Sequence, residues 1–296
     1  MAHALVRMHP DNRPGHRLVW VHRASFAATT LVAMEGAFAV VGRHTHCTLV
    51  LPNDPFVALR HVLVRSVHLP SGGFALRVFD LHTNLGFVLA DGSHQTSVFA
   101  EGPVAIAIGE YALVALPTET SDNPLPRELP SPVIDTPPEV KDQLRALAEA
   151  MSPYRAGSPP LHQSRLTLMP RPVMVGERTL ASVDRLMGAQ YALRLERGGK
   201  VASIMLTGAD LARGVIIGRS EKCHSEILRR ITDKGTSRTH LLLLAEGPFV
   251  YAYDLASTQG TWTCGQPVRR AALHDAGAVL YLGTHDPVCL SWQRRA

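Results

Sequence analysis

Cysteine is sparse, and the four present, Cys47, Cys223, Cys264 and Cys289, form no C-x-x-C pair. That spacing indicates neither a zinc site nor a disulfide framework. Lysine is also scarce: the 30 basic residues include only Lys141, Lys200, Lys222 and Lys234. No dense Lys/Arg run occurs, so no nucleic-acid tail is expected. No stretch of about 18 apolar residues exists, which excludes an ordinary transmembrane helix. The opening 23 residues are broken by His, Pro, Asp and Arg and do not read as a signal peptide. Walker, kinase and Rossmann glycine motifs are missing. A soluble cytoplasmic protein is the expectation that remains.

What is there points to two domains. A length of 296 residues exceeds one ordinary domain, and 46% apolar residues can fill cores of normal size. The net charge of +5 favours acidic or phosphorylated partners. Arg-rich, Lys-poor usage points to a GC-rich bacterial genome.

The chain repeats itself. Val-Val-Gly-Arg (40–43) with Cys47 recurs as Ile-Ile-Gly-Arg (216–219) with Cys223. Arg60-His61 parallels Thr239-His240, Asp80-Leu81 and Gly86 parallel Asp254-Leu255 and Gly260, and Ile108-Gly109 parallels Leu282-Gly283. The offsets stay at about 174–179 residues, with order kept. Each copy reads as short apolar segments separated by turn residues about every ten positions, the pattern of an all-β sandwich. In the first copy one such segment is Val104–Leu116. Residues 17–117 form the first expected domain and 189–296 the second. Residues 118–188 between them are crowded with proline and read as a linker. A helix over about 139–151 is expected there, because Val140, Leu144, Leu147, Ala148 and Met151 share a helical face. A second short helix is expected over 178–190.

The chemistry concentrates between Gly218 and Gly283. Gly218-Arg219, Ser237-Arg238-Thr239-His240 and Asp254-Leu255-Ala256-Ser257-Thr258-Gln259-Gly260-Thr261 all fall on loops between expected strands. An arginine is the best side chain for a phosphate, being always charged and able to hold two oxygens. A serine hydroxyl adds a directional donor. The set therefore suits binding a phosphate rather than cleaving a bond. A Ser237/His240/Asp254 triad has no nucleophile elbow or oxyanion loop beside it, so no catalytic residues are assigned. No cofactor is implied. His44-Thr45-His46 lacks further spaced ligands, so no metal site is assigned either.

In order and spacing this stretch resembles the forkhead-associated (FHA) domain, over roughly residues 190–292. The resemblance implies two β-sandwiches, with phosphothreonine-peptide binding by the second. Arg219 and Ser237 would hold the phosphate, with Arg238 and Thr258 as auxiliary contacts. Gln259 stands where the family has an asparagine that bonds the peptide backbone. Gly218, His240, Gly260 and Thr261 would support the site, and Trp262 would pack beside it. Arg229, Arg230 and Lys234 lie on a long basic segment that would widen the positive field. The first copy keeps Gly42, Arg43 and His61, but Ala58 replaces the serine and Leu85 the amide position. It is expected to be a degenerate copy used as scaffold or docking surface. Asn84 would restore the amide only if the turn shifted by one residue.

The implied partner is a phosphothreonine-containing protein, a Ser/Thr kinase or its substrate, with no nucleic acid and no membrane insertion. Self-association through the first domain or the linker stays open, with Thr118, Thr120 and Thr136 as kinase targets. The competing expectation is a structural assembly protein that docks without phosphate.

Overall fold

The computed structural model of the chain describes residues 15–22, 25–32, 37–69, 74–81, 83, 85–118, 173–175, 190–220, 223, 231–232, 235–246, 249–274 and 277–295. It divides into two compact units whose main described bodies are 51–118 and 190–295. Both are built almost wholly of β-strands.

The first unit begins with β1 (Gly15–His22), β2 (Ser25–Val32), β3 (Phe38–Gly42) and the two-residue β4 (Leu49–Val50). It continues through β5 (Val62–His68), β6 (Phe74–Asp80), β7 (Phe87–Leu89), β8 (His94–Gln95) and β9 (Ser97–Ala100). It ends with β10 (Val104–Ile108), β11 (Tyr111–Thr118) and β12 (Val173–Val175). One sheet runs β2-β1-β11-β10-β7-β8 and the other β12-β9-β6-β5-β3-β4. The chain in the second unit forms β13 (Gln190–Arg197), β14 (Lys200–Thr207), helix α1 (Gly208–Arg213), β15 (Val215–Ile217) and β16 (Leu241–Glu246). Then come β17 (Phe249–Asp254), β18 (Thr261–Thr263), β19 (Gln266–Val268), β20 (Arg270–Leu273), β21 (Ala278–Leu282) and β22 (Val288–Arg295). Its sheets run β14-β13-β22-β21-β18-β19 and β15-β16-β17-β20. Strand for strand this is the order of the first unit, apart from the added edges β4 and β12.

Local sequence explains the elements. In β13, Tyr191, Leu193 and Leu195 are buried while Arg194 and Glu196 on the alternate face are exposed, the two-residue period of a half-buried strand. Gly198 and Gly199 turn β13 into β14 with φ of 52° and 74°, the left-handed pair that a tight hairpin needs. In β16, Leu241 to Leu244 are all buried, so this strand is covered on both faces. Leu193, Leu195 and Leu290 from the larger sheet meet Leu241, Leu243 and Val250 from the smaller in one core.

Several expectations change in detail. The segment Val104–Leu116 is two strands, because Gly109 at φ 59° breaks it. Apart from Thr118 and 173–175, the linker, with its helix over 139–151, lies outside the described residues, as does nearly all of 178–190, whose last residue, Gln190, opens β13. Val173–Val175, within the Pro-rich stretch, pairs in parallel with β9. Thr118 is no surface kinase target: it ends β11, 9% exposed and paired to Gly15. Among the described residues no helix is long and apolar enough to cross a membrane.

Candidate functional site

The site grows from three backbone crossings at one end of the second sandwich. Arg219 N–H donates to the Ser237 carbonyl at 3.1 Å, His240 N–H to Ile217 at 2.9 Å, and Leu255 N–H to His240 at 2.8 Å. These bonds tie the β15–β16 segment to the β17–β18 loop. Gly218 is required there, since a Cβ would stand 2.1 Å from the Arg238 carbonyl oxygen. The close approach fixes the chain just before Arg219.

His240 bonds the loops on either side of it. It is fully buried. Its Nδ1 accepts from the Ser237 main-chain N–H at 3.1 Å. That nitrogen must therefore be unprotonated, and Nε2–H donates to the Gly260 carbonyl at 3.2 Å. The imidazole spends both nitrogens on loop backbone. It takes the amide of Ser237 rather than its hydroxyl, so Ser237 and His240 do not stand as nucleophile and base. Gly260, at φ 76°, turns its carbonyl inward to meet the ring.

Asp254 holds the β17–β18 loop from below. Oδ1 accepts from Ser257 N–H at 2.8 Å, and Oδ2 accepts from the hydroxyls of Ser257 and Thr261, both at 2.6 Å. All three residues are buried. The hydroxyls of Ser257 and Thr261 are thus consumed as structural donors. The role of Ser257 was not assigned from the sequence, although a serine three residues after an aspartate is a turn signal.

The candidate phosphate-binding residues lie on the same loops. Ser237 Oγ accepts from Thr258 N–H at 3.0 Å and faces the Thr258 hydroxyl at 3.5 Å. Ser237 is 8% exposed, at the floor of the site. Arg219 and Arg238 are both exposed, and neither guanidinium has a hydrogen-bond or ion-pair partner among the described residues. A guanidinium is the side chain best suited to hold an anion. Gln259 reaches across to the β21–β22 turn, where its side-chain oxygen accepts from Thr284 N–H at 3.3 Å. Trp262 Nε1–H donates to the Gln259 carbonyl at 3.0 Å, so the ring packs under the loop. Thr284 was missed by sequence reading, because a main-chain donor has no residue signature. Arg229, Arg230 and Lys234 lie outside the described residues.

The same frame recurs in the first unit. Arg43 N–H donates to the Ala58 carbonyl, His61 N–H to Val41 and Leu81 N–H to His61. A Cβ on Gly42 would stand 2.5 Å from the Leu59 carbonyl oxygen. His61 accepts from Ala58 N–H at 3.0 Å and bonds the Gly86 carbonyl at 2.8 Å. Burial lowers its pKa to about 4, against smaller upward pulls from the Gly86 bond and the Asp54 charge. The difference lies in the contact residues. Ala58 has no hydroxyl, Arg43 Nε donates to the Val57 carbonyl, and the Leu85 N–H is taken by Thr83 at 3.2 Å. Asp54 Oδ2 accepts from Glu110 N–H at 2.6 Å, the position after Gly109 that corresponds to Thr284. Asn84 lies outside the described residues.

Three solved structures similar to the chain are FHA domains. FHA-1 of Mycobacterium tuberculosis Rv1747 is 20% identical over 36% of this chain and 100% of that one, with a TM-score of 0.30. The FHA domain of CT664 from Chlamydia trachomatis is 21% identical over 36% and 99%, with a TM-score of 0.30. The yeast Dun1 FHA domain, solved with a doubly phosphorylated peptide, is 12% identical over 44% and 92%, with a TM-score of 0.31. A search of curated proteins finds no match. The family model of the FHA domain matches residues 215–283, the segment that holds Arg219, Ser237, Arg238, His240, Thr258 and Gln259.

Proposed function

We propose that the chain is a non-enzymatic adaptor that binds phosphothreonine peptides through Arg219, Ser237 and Arg238 of its FHA domain. The observation that carries this reading is the pair of exposed guanidinium groups, Arg219 and Arg238, that have no partner among the described residues and lie on the segments tied to Ser237 by main-chain bonds. A phosphothreonine brings nearly two negative charges and three acceptor oxygens to such donors. A Ser/Thr protein kinase in a bacterial cytoplasm would supply the mark, on itself or on a substrate. The first unit is read as a degenerate copy serving as scaffold, since its arginine is bonded to its own backbone and its serine position is Ala58.

The test is titration of the full chain with phosphorylated and unphosphorylated forms of threonine peptides. Phosphate-dependent binding is expected, lost on phosphatase treatment. Arg219→Ala or Ser237→Ala each removes about 2–5 kcal/mol, enough to abolish a modest interaction. Equal binding of both peptide forms would sink the reading. It would favour the second one, a phosphate-independent assembly protein, which draws support from the closed first site and from the internally bonded Gln259.

A further inference from the structure

The larger sheet of the second unit has one face in the core and one in solvent. Ala202, Ile204 and Leu206 of β14 and Leu280 and Leu282 of β21 point into the core. Side chains alternate along a strand, so Val201, Met205, Val279 and Tyr281 point outward, each 39–49% exposed. The strand register then sets one outward row across all six strands. Val201 stands beside Glu196, Glu196 beside Cys289, Cys289 beside Tyr281, Tyr281 beside Trp262, and Trp262 beside Pro267. All but Glu196 are apolar, a band about 24 Å long at roughly 4.8 Å per strand. Val279 widens it on β21. Contiguous exposed apolar surface of this kind marks a contact site, which single scattered residues do not. The same face is closed in the first unit. There His16 bonds Ser66 across the sandwich, so Val19 and Val21 face outward with their neighbours Val114 and Ala112, and none is more than 3% exposed.

The charges on the open face name its occupant. Arg194 and Glu196 are successive outward residues of β13, both half-exposed, with Nη2 2.8 Å from Oε2. They leave the middle of the face without net charge, and such a pair complements itself when turned over. A two-fold axis between two facing sheets, running across the strands between the rows of Arg194 and Glu196, sets Arg194 over the second copy's Glu196. By the register of β13, β22 and β21 it also sets Tyr281 over the second copy's Val279. An isologous contact requires this self-complementarity. We infer that the outward face of the β14-β13-β22-β21 sheet is a dimer surface, covered by the same face of a second copy of this chain. Face-to-face sheets stack about 10 Å apart, within reach of the long Arg194 and Glu196 side chains.

Sedimentation equilibrium of the full chain, from low micromolar to sub-millimolar concentration, tests the surface. The wild-type chain is expected to pass from monomer to dimer. Val201→Glu and Tyr281→Glu each put an unpaired carboxylate into the contact and should weaken association by about tenfold or more, with the circular dichroism spectrum and urea midpoint unchanged. Arg194→Glu should weaken it likewise by setting glutamate against glutamate. Arg194→Glu/Glu196→Arg should restore it, because the exchanged pair is again self-complementary, and should form no mixed dimer with labelled wild type. A wild-type chain that stays monomeric would overturn the inference and give the face to a different molecule. A dimer that survives both Val201→Glu and Tyr281→Glu would also overturn it, since the copies would then meet elsewhere.

Discussion

Asp254 gathers three donors on two oxygens at the base of the recognition loop, and all of them are buried. Its removal leaves two hydroxyls and an amide without an acceptor, which is costlier than the loss of an exposed contact. Asp254→Ala should therefore lower stability by about 1–3 kcal/mol, read as a shift in the urea midpoint. Phosphopeptide affinity should fall with it, because Thr258 and Gln259 ride on the same loop. Thr258→Val tests the opposite case. Its main-chain bond to Ser237 survives, so stability should stay within about 0.5 kcal/mol, while any loss appears in binding. A Thr258→Val variant that unfolds as readily as Asp254→Ala would show that the exposed hydroxyl is structural. Arg219→Lys belongs at this scale too. It keeps the charge but gives up the planar fork that suits a phosphate, so its affinity should fall between wild type and Arg219→Ala.

Among the elements, β13 was legible from its alternation and β17 from its apolar run, whereas β18, β19 and β20, with three or four residues each, were not read. Their pairing is decided by tertiary contacts that no local period encodes. Helix α1 was passed over inside a strand-rich stretch, although its start carries a capping box. Thr207 Oγ accepts from Asp210 N–H at 3.2 Å, and the Asp210 carboxylate accepts from Thr207 N–H at 2.8 Å. Only six residues follow, too few for a helical period to show. Thr207→Ala should cost about 1 kcal/mol, measured by thermal or urea unfolding, and should leave phosphopeptide binding unchanged because α1 carries no site residue. Of the candidate site, Arg219, Ser237, His240 and Gln259 were singled out by their order and spacing on loops between expected strands. What escaped was the backbone: the Thr284 donor and the carbonyl of Arg238 that excludes a side chain at 218 have no signature in residue type.

Across the whole molecule, one backbone frame serves two outcomes. Both units share strand order, a glycine crossing and a histidine bonded between two loop amides, yet Arg43 bonds its own backbone while the Arg219 and Arg238 guanidinium groups have no partner among the described residues. The first unit has a liability of its own. Burial lowers the pKa of both His16 and His61 to about 4. His16 bonds Ser66 across the sandwich at 3.1 Å, and His61 has spent both nitrogens on backbone. In the unfolded chain each imidazole takes a proton near pH 6.5. Above that pH both states are neutral and the contribution to stability is full. As pH falls from about 6.5 towards 4, the unfolded chain binds protons that the folded unit refuses, and stability drains away. Below about 4 both states are charged and these two groups drive no further loss. The scale is on the order of 3 kcal/mol for each histidine, large beside the stability of an ordinary domain. Hydrogen exchange resolved by peptide, and corrected for intrinsic rates, should show protection in β1, β5 and β11 falling between pH 6.5 and 4. His61→Gln, which keeps a donor and an acceptor but does not titrate, should flatten part of that slope. Constant protection of those strands from pH 7 to 4.5 would contradict the assignment of buried neutral imidazoles.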